Sequence, residues 1–416
     1  MSYSYIRLGI PLLAAASSAI LLSSNCEAHE EIGKVIEAES TFSIEKPTII
    51  LDAEEFGVID TNPSVKMYSR AAYRANSPIE DRSIVKSYSN GDLFAGVFDG
   101  HGGWQVSNYL HRQLIESVRQ RVNQNATTCD PLLGSQKNIS EMLQDAFVQL
   151  DRDLAAQVQP AFNLGFGAVG RCGACALLVY IHDNVLSVAN GELVPYTHQS
   201  NRTNTTAAGD TRCVLGSRKE NGGTPALTAI ALSNDHNAMS ANEQEKLRRE
   251  HPGEANVYKC RRSDSCYVKG ALQPTRAFGD FTLKLSEFNG PPYVNGDRSA
   301  GRHIPPPYTP PYITSKPEVT THLLTKQDAF VIIASDGLWD HVDNDEAVSI
   351  VEKMVIENKS DHAARALVEN VLQKAATRKD TSISSILGLP PGPVRRRHHD
   401  DISVIVLYFD QESEIP

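Results

Sequence analysis

The sequence predicts an α+β fold in which antiparallel sheets carry helices packed outside them. Short apolar runs rich in β-branched residues follow one another with only turn residues between them, as hairpin-connected strands do. Long amphipathic segments are grouped elsewhere in the chain. The 416 residues, 41% apolar and 22% charged, can bury a large core and exclude a disordered chain.

The chain opens on "MSYSYIRLGIPLLAAASSAILLSS", which has one Arg and no acid. Its apolar run, 9–22, falls short of the about 20 residues a spanning helix needs. It suits a signal h-region, a membrane anchor or the hydrophobic part of an organellar presequence, although one Arg is few for a matrix-targeting peptide. Residues 1–30 are therefore set apart from the fold. Residues 31–64 read as a polar lead-in with one apolar patch, "PTIILDAEEFGVI". The folded domain is expected over 65–410.

Within it, strands are expected at 81–89, 93–98, 175–182, 184–190, 211–217, 225–232, 318–324, 329–335 and 402–409. Helices are expected at 103–124, 139–158, 240–252, 344–357 and 361–376. The first of these carries Val106, Tyr109, Leu110, Leu114 and Val118 at spacings of three and four, a single apolar stripe. Asn344 can cap the fourth, and Glu346 sits in its first turn, where the helix dipole favours an anion. Two stretches, 191–207 and the Pro- and Gly-rich 289–311, read as insertions forming surface loops.

Composition narrows the chemistry. A net charge of −10 offers no basic surface for nucleic acid. The one basic run, Arg395, Arg396 and Arg397 followed by His398 and His399, reads as a solvated loop or a partner-docking patch. Seven cysteines, odd in number and sparsely spaced, indicate no disulfide framework. "CGAC" at 172–175 has redox-motif spacing, but it runs straight into "ALLVY" and reads better as buried small residues.

Acids recur at the ends of apolar strands. Asp99 ends "LFAGVF", Asp336 follows "AFVIIAS", Asp400 and Asp401 precede "ISVIVLYF", and Glu80 and Asp81 precede "RSIVKSY". A carboxylate at the rim of a core is costly, and several together raise one another's pKa. A hard divalent cation with oxygen ligands relieves both costs. In "DGHGG", Gly100 lets its own carbonyl approach such a cation, Gly102 and Gly103 allow a tight turn, and His101 stands at the mouth.

These segments resemble the metal-dependent protein serine/threonine phosphatases of type 2C. The matching pieces stand in family order: "NSPIEDR", "FAGVFDGHGG", "CGACALLVY", "VAN" with "AGDTRCVLG", "LSNDHNAMSANEQEKLRREHPGE", "LQPTRAFGDFTLK", "ASDGLWDHVDNDEAV" and "DDISVIVLYF". "NSPIEDR", "DDISV", "EHP" and "PPYITSKPEVT" look most like the pyruvate dehydrogenase phosphatase branch. The resemblance implies a β-sandwich of two antiparallel sheets flanked by helices, with a binuclear Mg2+ or Mn2+ site at one end. By motif, Asp99 would bridge both ions and the Gly100 carbonyl would bind one. Asp336 and Asp400 would ligate the other, Glu80 would act through water with Asp81 in support, and Asp210 would take a third, weaker ion. The ions would activate a water against phosphorus, and His101 would protonate the leaving alkoxide.

Two departures stand out. Many members carry a phosphate-binding Arg four residues before the glutamate; here that position is Asn76, and Arg74 is the candidate substitute. The 191–207 insertion splits the segment that contains Asp210. The implied partner is a phosphorylated protein, by branch the pyruvate dehydrogenase complex, which favours a mitochondrial location. The N-terminus allows membrane anchoring or the secretory route instead. A phosphoprotein-binding pseudophosphatase or scaffold, and a hydrolase of small phosphoesters, are the competing functions.

Overall fold

The computed structural model describes residues 48–127, 138–190, 211–218, 227–262, 265–290 and 303–410. In chain order these contain β1 (Ala53–Val58), β2 (Val65–Tyr73), β3 (Arg82–Ser87), β4 (Leu93–His101), α1 (Gln105–Thr127), α2 (Ile139–Asn163), β5 (Gly173–His182) and β6 (Val185–Asn190). There follow β7 (Arg212–Arg218), β8 (Leu227–Ala231), α3 (Ala241–Glu250), β9 (Tyr258–Arg262), β10 (Ser265–Val268) and β11 (Phe278–Gly279). The C-terminal part holds β12 (Glu318–Leu323), β13 (Asp328–Ala334), α4 (Asp336–Trp339), α5 (Asn344–Ile356), α6 (Ala363–Arg378), α7 (Ile383–Leu387) and β14 (Ile402–Phe409).

One six-stranded sheet runs β1-β2-β14-β13-β7-β8; the second runs β12-β6-β5-β4-β3, with β11 joining at β5. The period-two alternation of strands explains how they stack. Leu93, Ala95 and Val97 of β4 face the space between the sheets, together with Val331, Ile333, Ile405 and Leu407 of the other sheet. Phe94 and Phe98 point the other way, onto Leu110, Leu114, Leu143 and Phe147 of α1 and α2. Ile332, Val404 and Val406 meet Val348, Val351, Leu367 and Val371 of α5 and α6 on the opposite outer face. The result is a helix-flanked sandwich of two antiparallel sheets. Because β4 and β14 are buried on both faces, they read as continuous apolar runs.

Several elements differ from expectation. The lead-in, 31–64, contains β1, which pairs with β2 from Ala53–Ala72 to Val58–Met67. Ile49 is buried in the outer core beneath α6, so the folded unit begins well before residue 65. The helix at 344 is capped by Asp343, whose side chain accepts from the Glu346 amide at 2.9 Å, while Asn344 instead accepts from Arg212 at 2.8 Å. Cys260 and Cys266 form a disulfide across the β9–β10 hairpin, although the cysteine spacing had suggested no framework. Cys172 and Cys175 are buried and outside any disulfide, as their apolar context suggested. The insertion at 289–311 is not wholly a surface loop. Asn289 is buried and exchanges two hydrogen bonds with Ile304, and Tyr308 packs on the small core of α3, β9 and β10. Residues 1–30 and the insertion at 191–207 lie outside the described residues.

Candidate active site

Antiparallel register gathers the acids. In the first sheet Ala334 lies opposite Val404, and Ile402 opposite Tyr73. The end of β13, the start of β14 and the end of β2 therefore share one rim. In the second sheet Arg82 lies opposite Phe98, so Glu80 and Asp81 adjoin Asp99 and His101. The two rims touch through Asp401. Its Oδ1 accepts from the amides of Ala75 (2.5 Å) and Asn76 (2.8 Å), and its Oδ2 accepts from the Glu80 amide (2.7 Å). Both oxygens of Asp401 are thus engaged in joining the sheets, which separates it from its neighbour Asp400.

Asp99 is held more firmly than a residue beyond a strand end. β4 continues through Asp99 to His101, with Asp99 opposite Cys175 and His101 opposite Gly173. Gly100 is required for a reason the sequence reading did not give: a Cβ there would lie 2.6 Å from the Glu80 carbonyl and 2.9 Å from Ser107 Oγ. Gly102 turns the chain toward α1 at φ 68°, a conformation that favours glycine.

The acids perturb one another strongly. Burial raises the Asp99 pKa well above the ordinary carboxylate range, and the charges of Asp336, Asp81 and Asp400 add to it. Buried Asp81 is raised by burial and by Asp401, Asp336 and Asp400. Asp400 is pushed up to about 7 by burial and Asp336, against the pull of Arg396. Asp340, the last residue of "DGLWD", belongs to the same set and is pushed up to about 8 by burial, Asp336 and Asp400. Glu80 is raised by burial, with Arg396 opposing. Asp81 Oδ2 and Asp99 Oδ2 are enclosed and have no hydrogen-bond partner.

These donors fit a hard divalent cation. They are carboxylate oxygens, two of them orphaned, in a cluster whose like charges need neutralising. Among the described residues no three His, Cys, Asp or Glu side chains close on one point as a finished ligand set. Arg396 instead spans the cluster, donating to Asp400 Oδ2 at 2.7 Å and to Glu80 Oε2 at 3.4 Å.

His101 has a partner that sequence reasoning missed. Its Nε2 lies 2.6 Å from Asp280 Oδ2. Asp280 follows β11, whose pairing to β5 sets Gly279 opposite Gly173. Its own backbone is left-handed at φ 50°, and its amide donates to the Cys172 carbonyl at 3.1 Å. Gly173 makes the pair possible, because a Cβ there would stand 2.1 Å from Asp280 Oδ2 and 2.4 Å from His101 Nε2. Burial disfavours the imidazolium, but the Asp280 charge and hydrogen bond outweigh it and the His101 pKa is raised. The signal was present in "RAFGDF", an acid directly after a glycine, but only the fold shows what it faces.

Arg74 does not reach the acids. Its side chain is ion-paired with Asp52, and its amide donates to Asp52 Oδ2 at 2.6 Å. The basic run is also more than a solvated loop. Arg395 is buried, stacks 5.3 Å over Tyr73 and donates to the carbonyls of Leu389 and Arg74. Asp210 lies outside the described residues.

Residues 64–380 match the family described as Protein phosphatase 2C. The chain is 30% identical over 350 residues to Probable protein phosphatase 2C 38 of Arabidopsis thaliana, covering 82% of this chain and 80% of that one. It is 31% identical to Probable protein phosphatase 2C 67 of the same plant, covering 82% and 83%. Among solved structures it resembles the serine-threonine phosphatase 2C of Toxoplasma gondii, with a TM-score of 0.56 and 17% identity over 86% of this chain and 99% of that one. That likeness establishes the fold.

Proposed function

The chain belongs to the protein phosphatase 2C family, which makes it a metal-dependent protein serine/threonine phosphatase, and from this premise we propose how its own residues carry out the reaction. Asp99, Asp336, Asp400 and the Gly100 carbonyl would hold two Mg2+ or Mn2+ ions, with Glu80 and Asp81 in support and Asp210 and Asp340 toward a further, weaker ion. Such ions, when bound, supply positive charge to the phosphoryl oxygens and make a water more acidic. The strand backbone fixes Asp99, while Arg396 would have to release Asp400 and Glu80 as the ions load. His101 donates a proton to the departing serine or threonine oxygen. Asp280 holds one ring nitrogen, fixes the ring and favours the protonated form, which leaves Nδ1 as the donor.

The observation that carries this reading is the convergence of Asp81, Asp99, Asp336 and Asp400, from four separated parts of the chain, with one enclosed oxygen each on Asp81 and Asp99 that lacks a partner. The test is release of phosphate from phosphoserine and phosphothreonine peptides with Mn2+ or with EDTA, sugar phosphates serving as the contrast. Activity in Mn2+ on the peptides alone is expected. Asp99→Asn should fold and lose nearly all turnover; retained turnover would sink the site assignment.

The finer reading places the protein in the pyruvate dehydrogenase phosphatase branch, acting in mitochondria on that complex. "NSPIEDR" and "PPYITSKPEVT" support it. The Cys260–Cys266 disulfide and the apolar N-terminus favour an oxidising compartment on the secretory route instead. Imaging a C-terminal fluorescent fusion separates the two: mitochondrial signal supports the branch reading, and endoplasmic reticulum or surface signal removes it.

A further inference from the structure

Arg396 follows Arg395 in the short turn before Asp400, and its guanidinium reaches three groups of the site. Nη2 donates to Asp400 Oδ2 at 2.7 Å, and Nη1 lies 3.4 Å from both Glu80 Oε2 and Asn76 Oδ1. The turn is fixed by Arg395, whose stacking on Tyr73 and bonds to backbone carbonyls tie it to the end of β2. Asn76 stands where the type 2C resemblance leads one to expect a phosphate-binding Arg. Of the arginines near this rim, Arg74 is held by Asp52, Arg212 pairs with Asp235, and Arg395 serves the backbone. Arg396 alone of these four takes its partners from the site acids, and its side chain remains 44% exposed.

We propose that Arg396 is the residue that receives the substrate phosphate, supplied from the far end of the chain in place of the arginine missing at position 76. The proposal rests on the phosphatase reading above. When Glu80 and Asp400 serve divalent cations, their charge is neutralised and no longer saturates the guanidinium. Its planar fork then stands at the mouth of the site beside the Asn76 amide. A guanidinium binds two phosphate oxygens at once in a geometry that an ammonium cannot match. The competing account is that Arg396 is only a stand-in cation, which metal ions displace.

Full-length wild type, Arg396→Ala, Arg396→Lys and Arg397→Ala are compared at saturating Mn2+. Inorganic phosphate is the binding probe, read by its protection against thermal unfolding and by product inhibition. A phosphothreonine peptide gives KM and kcat. Arg396→Ala should abolish the phosphate-dependent thermal shift and should weaken phosphate inhibition and raise KM roughly ten- to hundredfold, the loss expected for charge-assisted hydrogen bonds. Its kcat should fall less. Arg396→Lys should recover part of the loss, and Arg397→Ala, which keeps the site but removes a neighbouring charge, should behave as wild type. If Arg396→Ala keeps its phosphate shift and KM while needing less Mn2+, Arg396 is a stand-in cation and the proposal is overturned. A wild type that gains thermal protection from phosphate but turns over no phosphopeptide defeats the phosphatase reading, while the Arg396 comparison by thermal shift still stands.

Discussion

His101 depends on one carboxylate for its chemistry. Half-buried beside β5, an imidazole would ordinarily lose its proton more easily, yet Asp280 raises its pKa. Asp280→Asn removes that charge while keeping the shape. The His101 pKa should then fall, so the protonated donor disappears at a lower pH. The alkaline decline of kcat on a phosphothreonine peptide should shift toward acid, whereas p-nitrophenyl phosphate, whose leaving group needs little protonation, should change less. Identical pH profiles for variant and wild type on the peptide would remove Asp280 from this role. At this scale the clustered acids were legible in the sequence, because a carboxylate abutting a buried strand demands compensation. Asp280 and Arg396 were not, because their meaning comes from segments about 180 and 320 residues away along the chain (His101 to Asp280, Asn76 to Arg396) that only the topology brings close.

The short β11 is held by a buried ion pair rather than by its own length. Asp151 of α2 accepts from the Gly279 amide at 2.8 Å and from Lys284 Nζ at 2.6 Å, and Lys284 also donates to the Ala277 carbonyl at 2.6 Å. Both side chains of the pair are under a tenth exposed. Lys284→Met would leave Asp151 buried without a counter-charge, at a cost of about 3–5 kcal/mol. Urea unfolding measures it; a loss below about 1 kcal/mol would mean that water reaches the pair. Strands buried on both faces, such as β4, β13 and β14, announce themselves by composition. β1 and β2 do not. β1 has no buried residue and β2 mixes buried with half-buried positions, and Glu55 and Arg70, opposite one another, form a cross-strand ion pair while Arg70 also donates to the Ser83 carbonyl of β3 at 2.9 Å. A two-residue strand such as β11 has no sequence period to detect. The start of α5 was placed correctly but its cap was assigned one residue late, because Asp343 and Asn344 are both good caps, and only the pairing of Asn344 with Arg212 decides between them.

For the molecule as a whole, the acid cluster sets stability against function. The two sheets meet at a rim where Asp81, Asp99, Asp340 and Asp400 all have raised pKa values, Asp400 at about 7 and Asp340 at about 8. Unfolded, each would titrate near 3.8. The folded protein therefore holds protons that the unfolded chain releases. That contribution is complete below about pH 3.8 and is lost as pH rises through about 7 and 8, the reverse of an ordinary salt-bridged carboxylate. Bound Mn2+ would replace those protons as the neutralising charge, and it binds the deprotonated cluster best. In EDTA the melting temperature should therefore fall between pH 5.5 and 8 (roughly the window these pKa values define). Saturating Mn2+ should raise it far more at pH 8 than at pH 5.5. Asp340→Asn combined with Asp400→Asn should flatten the EDTA profile and shrink the Mn2+ shift together, since one electrostatic cost underlies both. Differential scanning calorimetry across that window distinguishes this from a generic acid-unfolding protein, whose melting temperature would climb with pH in EDTA and whose Mn2+ shift would not depend on pH.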